Sequence, residues 1–145
     1  ACRAQARGGL SMGEETLREA RCQCGQLHLQ TRGEPFRVSV CHCLDCQRRS
    51  GSVFATQARF PEAQVTLPGE AKTWSRRGDE GGGATFGFCP QCGSTVYYRN
   101  HDMPDAIAIP VGAFADPAFP PPIYSVYEER QHAWVCITGD IEHYD

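Results

Sequence analysis

From Gln26 onward, apolar and polar residues alternate with a period of two, and each such run predicts a short strand with unlike faces. Leu27, Leu29 and Thr31 share a face of the first run, and Phe36, Val38 and Val40 share a face of the second. The same signal recurs at 53–58, 64–67, 71–74, 84–88, 95–99, 106–111 and 123–127. Turn formers interrupt it at Arg32-Gly33-Glu34-Pro35, at Pro68-Gly69, at 78–83 and at 118–122, a spacing of about ten residues that fits an all-β sandwich or barrel-like domain. Two segments read as helix: a turn at 44–50, and EETLREA from Glu14 to Ala20, which is marginal without a partner. Residues 1–20 therefore read as a flexible N-terminal extension before a domain at 21–145, with 7–11 as linker and Met12 as a candidate natural start.

The length, 145 residues, suits one domain with its own core. With 41% hydrophobic and 21% charged residues, the composition is that of a globular protein. No run approaches the ~18 apolar residues of a membrane span, and the N-terminus lacks a signal-peptide centre. These features point to the cytoplasm. The net charge is −3, and 13 of the 14 cations are Arg spread along the chain, which argues against nucleic acid as a partner. Gly81-Gly82-Gly83 is followed by neither Lys-Ser/Thr nor a helical pattern, so it reads as a hairpin loop rather than a phosphate cradle. Pro120-Pro121-Pro122 reads as a stiff connection.

Nine Cys change the picture. An odd count, the absence of a secretion signal and the C-x-C spacing all speak against disulfides. Seven of them form three clusters: Cys22 and Cys24, then Cys41, Cys43 and Cys46, then Cys89 and Cys92; Cys2 and Cys136 stand apart. Cys89-Pro90-Gln91-Cys92-Gly93 has the form of a metal knuckle, where Pro starts a turn that aims amide N–H groups at thiolates and Gly ends it at positive φ. Gly25 after Cys24 plays the same part. Thiolates select zinc, and seven sulfurs divide into a closed set of four and a set of three with one open position. Chelation lets Cys41, Cys43 and Cys46 reach one ion, leaving the two cysteine pairs to meet across the sheet.

Other readings stay open at this point: a single four-cysteine zinc with the middle thiols reduced, His42 closing the second set, or a redox pair at Cys89 and Cys92. His42 itself reads as a residue behind the ligands, pointing away from them in an extended segment. A three-thiolate zinc is an anion, and Arg48 and Arg49 follow Cys46 directly, either balancing that charge or gripping an anionic substrate. Asp45 and His132, close to Trp134, are the polar groups nearest to an acid–base partner. Cys136 reads as a buried small hydrophobe.

Cys22-Gln23-Cys24-Gly25, the stretch Cys41-His42-Cys43-Leu44-Asp45-Cys46-Gln47-Arg48-Arg49-Ser50-Gly51-Ser52, and Phe88-Cys89-Pro90-Gln91-Cys92-Gly93-Ser94 together resemble the glutathione-dependent formaldehyde-activating enzyme family, which includes the centromere protein V type of domain. The resemblance runs from about Arg21 to Ile141. It implies a β-tent, several small antiparallel sheets around two zinc ions, with Cys22, Cys24, Cys89 and Cys92 on a structural zinc and Cys41, Cys43 and Cys46 on a catalytic one. It also implies carbon–sulfur lyase chemistry joining glutathione and formaldehyde. A zinc-held binding module without turnover is the contrasting reading. Thr85-Phe86-Gly87 lacks the Arg that relatives commonly place there.

Overall fold

The computed structural model describes residues 15–67, 69–78 and 82–145. β1 (Leu17–Arg21), β2 (His28–Arg32) and β5 (Val65–Thr66) form a three-stranded antiparallel sheet in the order β1-β2-β5. The second sheet has eight strands. It comprises β3 (Arg37–Cys41), β4 (Ala55–Pro61), β6 (Lys72–Arg77), β7 (Gly83–Phe88), β8 (Thr95–Asn100), β9 (Ala106–Pro110), β10 (Tyr124–Val126) and β11 (Glu142–His143). Their order is β11-β10-β3-β4-β9-β8-β7-β6. One α-helix, α1 (Leu44–Ser50), follows β3, and short 3-10 turns occupy Glu62–Gln64, Val111–Phe114 and Glu128–Arg130. The mainly β single domain with few short helices is thus as expected. Its sheets are fewer and larger than a set of small ones, and the larger is mixed, because β10 runs parallel to both β3 and β11.

Of the helix expected over 14–20, the described residues 15–20 form none. Leu17–Arg21 is strand β1, paired antiparallel with β2 from Leu17↔Arg32 to Arg21↔His28. An unpartnered helix of two turns has little to hold it, whereas the strand gains a full ladder and buries Ala20 completely. It also brings residues 17–20 into the sheet ahead of the expected boundary at 21. Cys2, the possible start at Met12 and the linker at 7–11 lie outside the described residues.

The period-2 pattern does its work on the larger sheet. One face carries Val38, Ala58, Phe60, Ile107 and Ile109, which pack against Leu27 and Leu29 of the smaller sheet and against Phe114 and Phe119. Phe60 meets Phe114 with ring centroids 6.3 Å apart and the planes tilted by 49°. Thr31 is buried beside Leu27 and Leu29, as their shared phase predicts, but Phe36 precedes β3 and is half exposed. On the opposite face a cross-strand row joins Arg37, Arg59, Ala108, Tyr98, Phe86 and Trp74. In β8 the pairing slips between Gly87↔Tyr97 and Phe88↔Thr95, so Val96 is an extra residue and turns into the main core beside Tyr97.

This opposite face is concave. β3 and β6 are five strand positions apart, about 24 Å in a flat sheet. Yet Asp45, four residues beyond the end of β3, pairs with Arg76 of β6. Only a strongly curled sheet lets α1 touch both, and α1 lies inside the curl, with the Arg49 guanidinium 5.3 Å from the Phe86 ring centre and 5.2 Å from that of Tyr98.

Phe60 is the largest fully buried side chain among the described residues. Phe60→Ala is expected to lower stability by about 3–5 kcal/mol through lost burial and a residual cavity, measured as a fall in the urea midpoint with an unchanged slope.

Candidate metal centres

The first centre is built from two hairpin tips. Cys22, Cys24 and Gly25 lie in the turn between β1 and β2, and Cys89, Cys92 and Gly93 in the turn between β7 and β8. The turns are alike: the Cys22 N–H donates to Leu27 O (2.8 Å) and the Cys89 N–H to Ser94 O (3.0 Å). Gly25 N–H donates back to Cys22 O (3.1 Å) and Gly93 N–H to Cys89 O (2.9 Å). Gly25 and Gly93 have φ of 85° and 78°, where a side chain is strained. Backbone N–H groups then meet the sulfurs, Leu27 N–H on Cys22 Sγ (3.3 Å) and Gln91 N–H on Cys89 Sγ (3.4 Å). The four sulfurs lie within 4.8 Å of one another, which ties the tip of the small sheet to the tip of the large one.

The second centre sits where β3 runs into α1. Cys41 ends the strand, Cys43 is the N-cap of the helix, and Cys46 completes its first turn. Cys43 Sγ accepts the Cys46 N–H at 3.4 Å, the capping role usually filled by Ser, Thr, Asp or Asn. These three sulfurs also lie within 4.8 Å of one another. His42, between two of them, is fully buried and turned elsewhere, its Nε2 3.1 Å from Ser125 Oγ on β10. No imidazole or carboxylate among the described residues joins either group.

The donor sets fit metal better than disulfide. Cys22 and Cys24 sulfurs are 3.5 Å apart and Cys24 and Cys89 sulfurs 3.6 Å, far beyond the ~2.05 Å of an S–S bond. They are close to the ~3.8 Å edge of a tetrahedron with metal–sulfur arms of about 2.3 Å. Each cluster could hold a metal ion.

Crowded thiols divide their protons unequally. Hydrogen bonds from Cys41 and Cys46, helped by the N–H groups of Cys46 and Asp45, overcome burial and bring Cys43 down to about 2. Cys41 is pushed up by donating to Cys43, by Cys46 and by burial. Cys46 is pulled down by Cys41 but pushed further up by Cys43 and burial, with Arg49 opposing. In the other cluster, bonds from the Ser94 side chain first, then from backbone N–H groups, lower Cys92 to about 5. The Gln26 backbone N–H pulls Cys24 down, but its neighbouring thiols and burial take it to about 12. Burial lowers His42, so it stays neutral.

The remaining sequence candidates scatter. Arg48 is 76% exposed and faces Asp45 at 3.8 Å, while Asp45 is held by Arg76; neither Arg48 nor Asp45 is free at the cysteines. Arg49 lies on the aromatic row beside the cluster. His132 Nε2 is 3.2 Å from Gln47 Oε1, and the Gln47 amide donates to His42 O (2.8 Å) and Arg130 O (3.3 Å). Cys136 is exposed rather than buried, because it follows a turn in which Val135 N–H donates to His132 O (2.9 Å) instead of entering a strand. Sequence reasoning missed Gln47, Tyr98 and Arg76. Gln47 alone carried a local signal, one helical residue past Cys46; the others reach α1 only through the curl of the sheet. Tyr98 is raised to about 12 by burial, against the pull of Arg59 and Arg49, with Cys46 and Cys41 also raising it.

The curled β domain with one four-sulfur and one three-sulfur donor set defines a class of thiolate metal-site proteins. Residues 17–130 match the sequence model of the glutathione-dependent formaldehyde-activating enzyme, and the chain belongs to that family. No curated protein matches it. Among solved structures, a Rhodobacter sphaeroides protein, a Northeast Structural Genomics target, is similar with a TM-score of 0.52 and 19% identity. The likeness covers 66% of this chain and 85% of that one and speaks to the fold. No helix among the described residues is long and apolar enough to cross a membrane.

With Cys41 and Cys46 protonated near neutral pH and Cys43 ionised, a divalent ion must displace about two protons to gain three thiolates. The affinity of the three-sulfur site for cobalt is therefore expected to rise about 100-fold per pH unit near pH 7. Chelator competition, corrected for the chelator's own protonation, measures the slope; a slope of zero would show that the cluster is already fully ionised.

Proposed function

We propose that the protein is a zinc-dependent enzyme of the carbon–sulfur lyase type that joins a glutathione-type thiol to a small aldehyde such as formaldehyde. Cys22, Cys24, Cys89 and Cys92 hold a structural zinc, and Cys41, Cys43 and Cys46 hold the catalytic one. One observation carries this reading. Three sulfurs converge at the start of α1, while the imidazole between them is committed to Ser125, so a zinc ion held there would have three protein ligands and room for an exogenous one. Zinc there supplies Lewis acidity, stabilising a thiolate or polarising a carbonyl.

In the reaction a C–S bond forms between thiol sulfur and aldehyde carbon, the carbonyl π bond breaks, and the thiol proton ends on the former carbonyl oxygen as S-hydroxymethyl adduct. The chain's own part is to fix geometry and charge. Cys43 anchors the helix start, the Gln47 amide ties the Cys41–Cys43 loop to the Arg130 carbonyl, and Arg49 offsets the negative charge of three thiolates. So many free thiols suit a reducing compartment, consistent with the cytoplasm.

Two variants separate the roles. Cys24→Ser is expected to reduce the folding yield, because a closed zinc site contributes folding energy directly. Cys43→Ser keeps an effective helix cap and is expected to give a folded chain with one zinc instead of two, by elemental analysis. Equal loss of folding in both would overturn the division. Millimolar glutathione should shift the absorption bands of cobalt-loaded wild type and not of Cys43→Ser. An unshifted spectrum in wild type would favour a binding module without turnover.

A further inference from the structure

A cavity of about 660 Å3 opens beside the four-cysteine cluster and the end of α1, within the ~300–1,000 Å3 typical of small-molecule sites. Its walls are the β1–β2 tip at Arg21 and Cys22, the β7–β8 tip at Cys92 and Ser94, the end of α1 at Arg49, and segment 110–115. Among the described residues no Asp or Glu lines it, and its cations are Arg21 and Arg49, set opposite the sulfurs of Cys22 and Cys92. Among the described residues neither has a carboxylate partner, as is also true of Arg37, Arg59 and Arg77, whereas Arg18, Arg32, Arg48, Arg76, Arg99 and Arg130 each have one. Arg49 is moreover held in place by the rings of Phe86 and Tyr98, so its fork is set before a ligand arrives. Two arginines without a carboxylate partner on the wall of one ligand-sized space can take an anion, and the planar fork suits a carboxylate.

The cavity does not include Cys41, Cys43 or Cys46. It is nonetheless close to them, because Arg49 follows Cys46 by three positions on α1, about one helical turn of 5.4 Å. A molecule whose acid end sits between Arg21 and Arg49 can extend its other end past α1 toward the three sulfurs.

We propose that this cavity is the carboxylate-recognition pocket for the thiol substrate, with Arg21 and Arg49 as its two anion contacts and Arg21 as a specificity-determining residue. The pocket selects acid-bearing thiols over neutral ones. This rests on the reading of the three-cysteine site given above for the thiol end, but the acid end stands on its own geometry. Arg21 is exposed on the last residue of β1, so replacing it leaves the core intact, and Arg48, the other arginine beside Cys46, takes no part.

The two ends are tested separately on the zinc-loaded chain. S-methylglutathione keeps both carboxylates and its amine but yields no thiolate, so its binding by calorimetry reads the pocket alone. Wild type is expected to bind it, while Arg21→Gln, or esterification of both carboxylates, weakens binding about tenfold or more, as for a lost charged hydrogen bond. Absence of binding to wild type, or an affinity that neither esterification nor Arg21→Gln lowers, overturns the pocket. In cobalt-loaded protein, Arg21→Gln should raise the glutathione concentration needed for the band shift and leave that for 2-mercaptoethanol unchanged; a parallel loss for both thiols counts against a specificity role. Should no thiol shift the bands while S-methylglutathione still binds, the proposed reaction fails and the pocket stands.

Discussion

Four sulfurs can share an ion only if two hairpin tips, more than sixty residues apart in sequence, are brought within a few ångströms. The rest of the fold follows from that demand. The β1–β2 tip belongs to the small sheet and the β7–β8 tip to the large one, so bringing them together presses the two sheets face to face over Leu27, Leu29, Phe60 and Ile107. A small domain buries a limited fraction of its surface, and a tetrahedral thiolate site adds a bond network that does not depend on area. The glycines that end the two turns and the amides aimed at the sulfurs prepare each knuckle locally.

The second sulfur set answers a different demand. It sits at a strand-to-helix corner, where a thiol replaces the usual N-cap side chain and three donors come from six consecutive residues. Such a set is made by local chain geometry, but its surroundings are not. The sheet curls until β6 meets α1 through Arg76 and Asp45, placing Arg49 on the aromatic row and Tyr98 beneath it. Behind the cluster, buried His42 bonds to Ser125, and the neighbouring Glu128 meets His143 at 2.7 Å. This run joins the loop to β10 and β11, the parallel strands that close the far edge of the sheet.

Beside the four-sulfur set and the end of α1 lies a space whose cations are two arginines. A four-thiolate centre and a three-thiolate centre would repel an anion, so guanidiniums lining that space offset a field that would otherwise exclude acidic ligands. Fold stability and ligand recognition thus share walls. Cys22 and Cys92 belong to the sulfur set that joins the sheets and also line the cavity.

Alternation at Leu27, Leu29 and Thr31, at Val38 and Val40, and at 84–88, 95–99 and 106–111 announced the strands, because a pleated chain turns successive side chains to opposite faces whatever its neighbours do. The grouping of Cys41, Cys43 and Cys46 was legible for a similar reason: six residues leave the donors little room to part. The first strand was not, since Leu17–Arg21 has the composition of a helix and becomes β-structure only through its ladder with β2. Nor could adjacency in sequence choose among the arginines. Arg48 and Arg49 differ by one position, but a helix turns about 100° per residue, which sends one to solvent and Asp45 and the other onto Phe86 and Tyr98. Spacing and periodicity determined what each short segment can make. The curl of the sheet, a sum of many small twists that no single segment encodes, decided which segments meet and therefore which charges line the space beside the sulfurs.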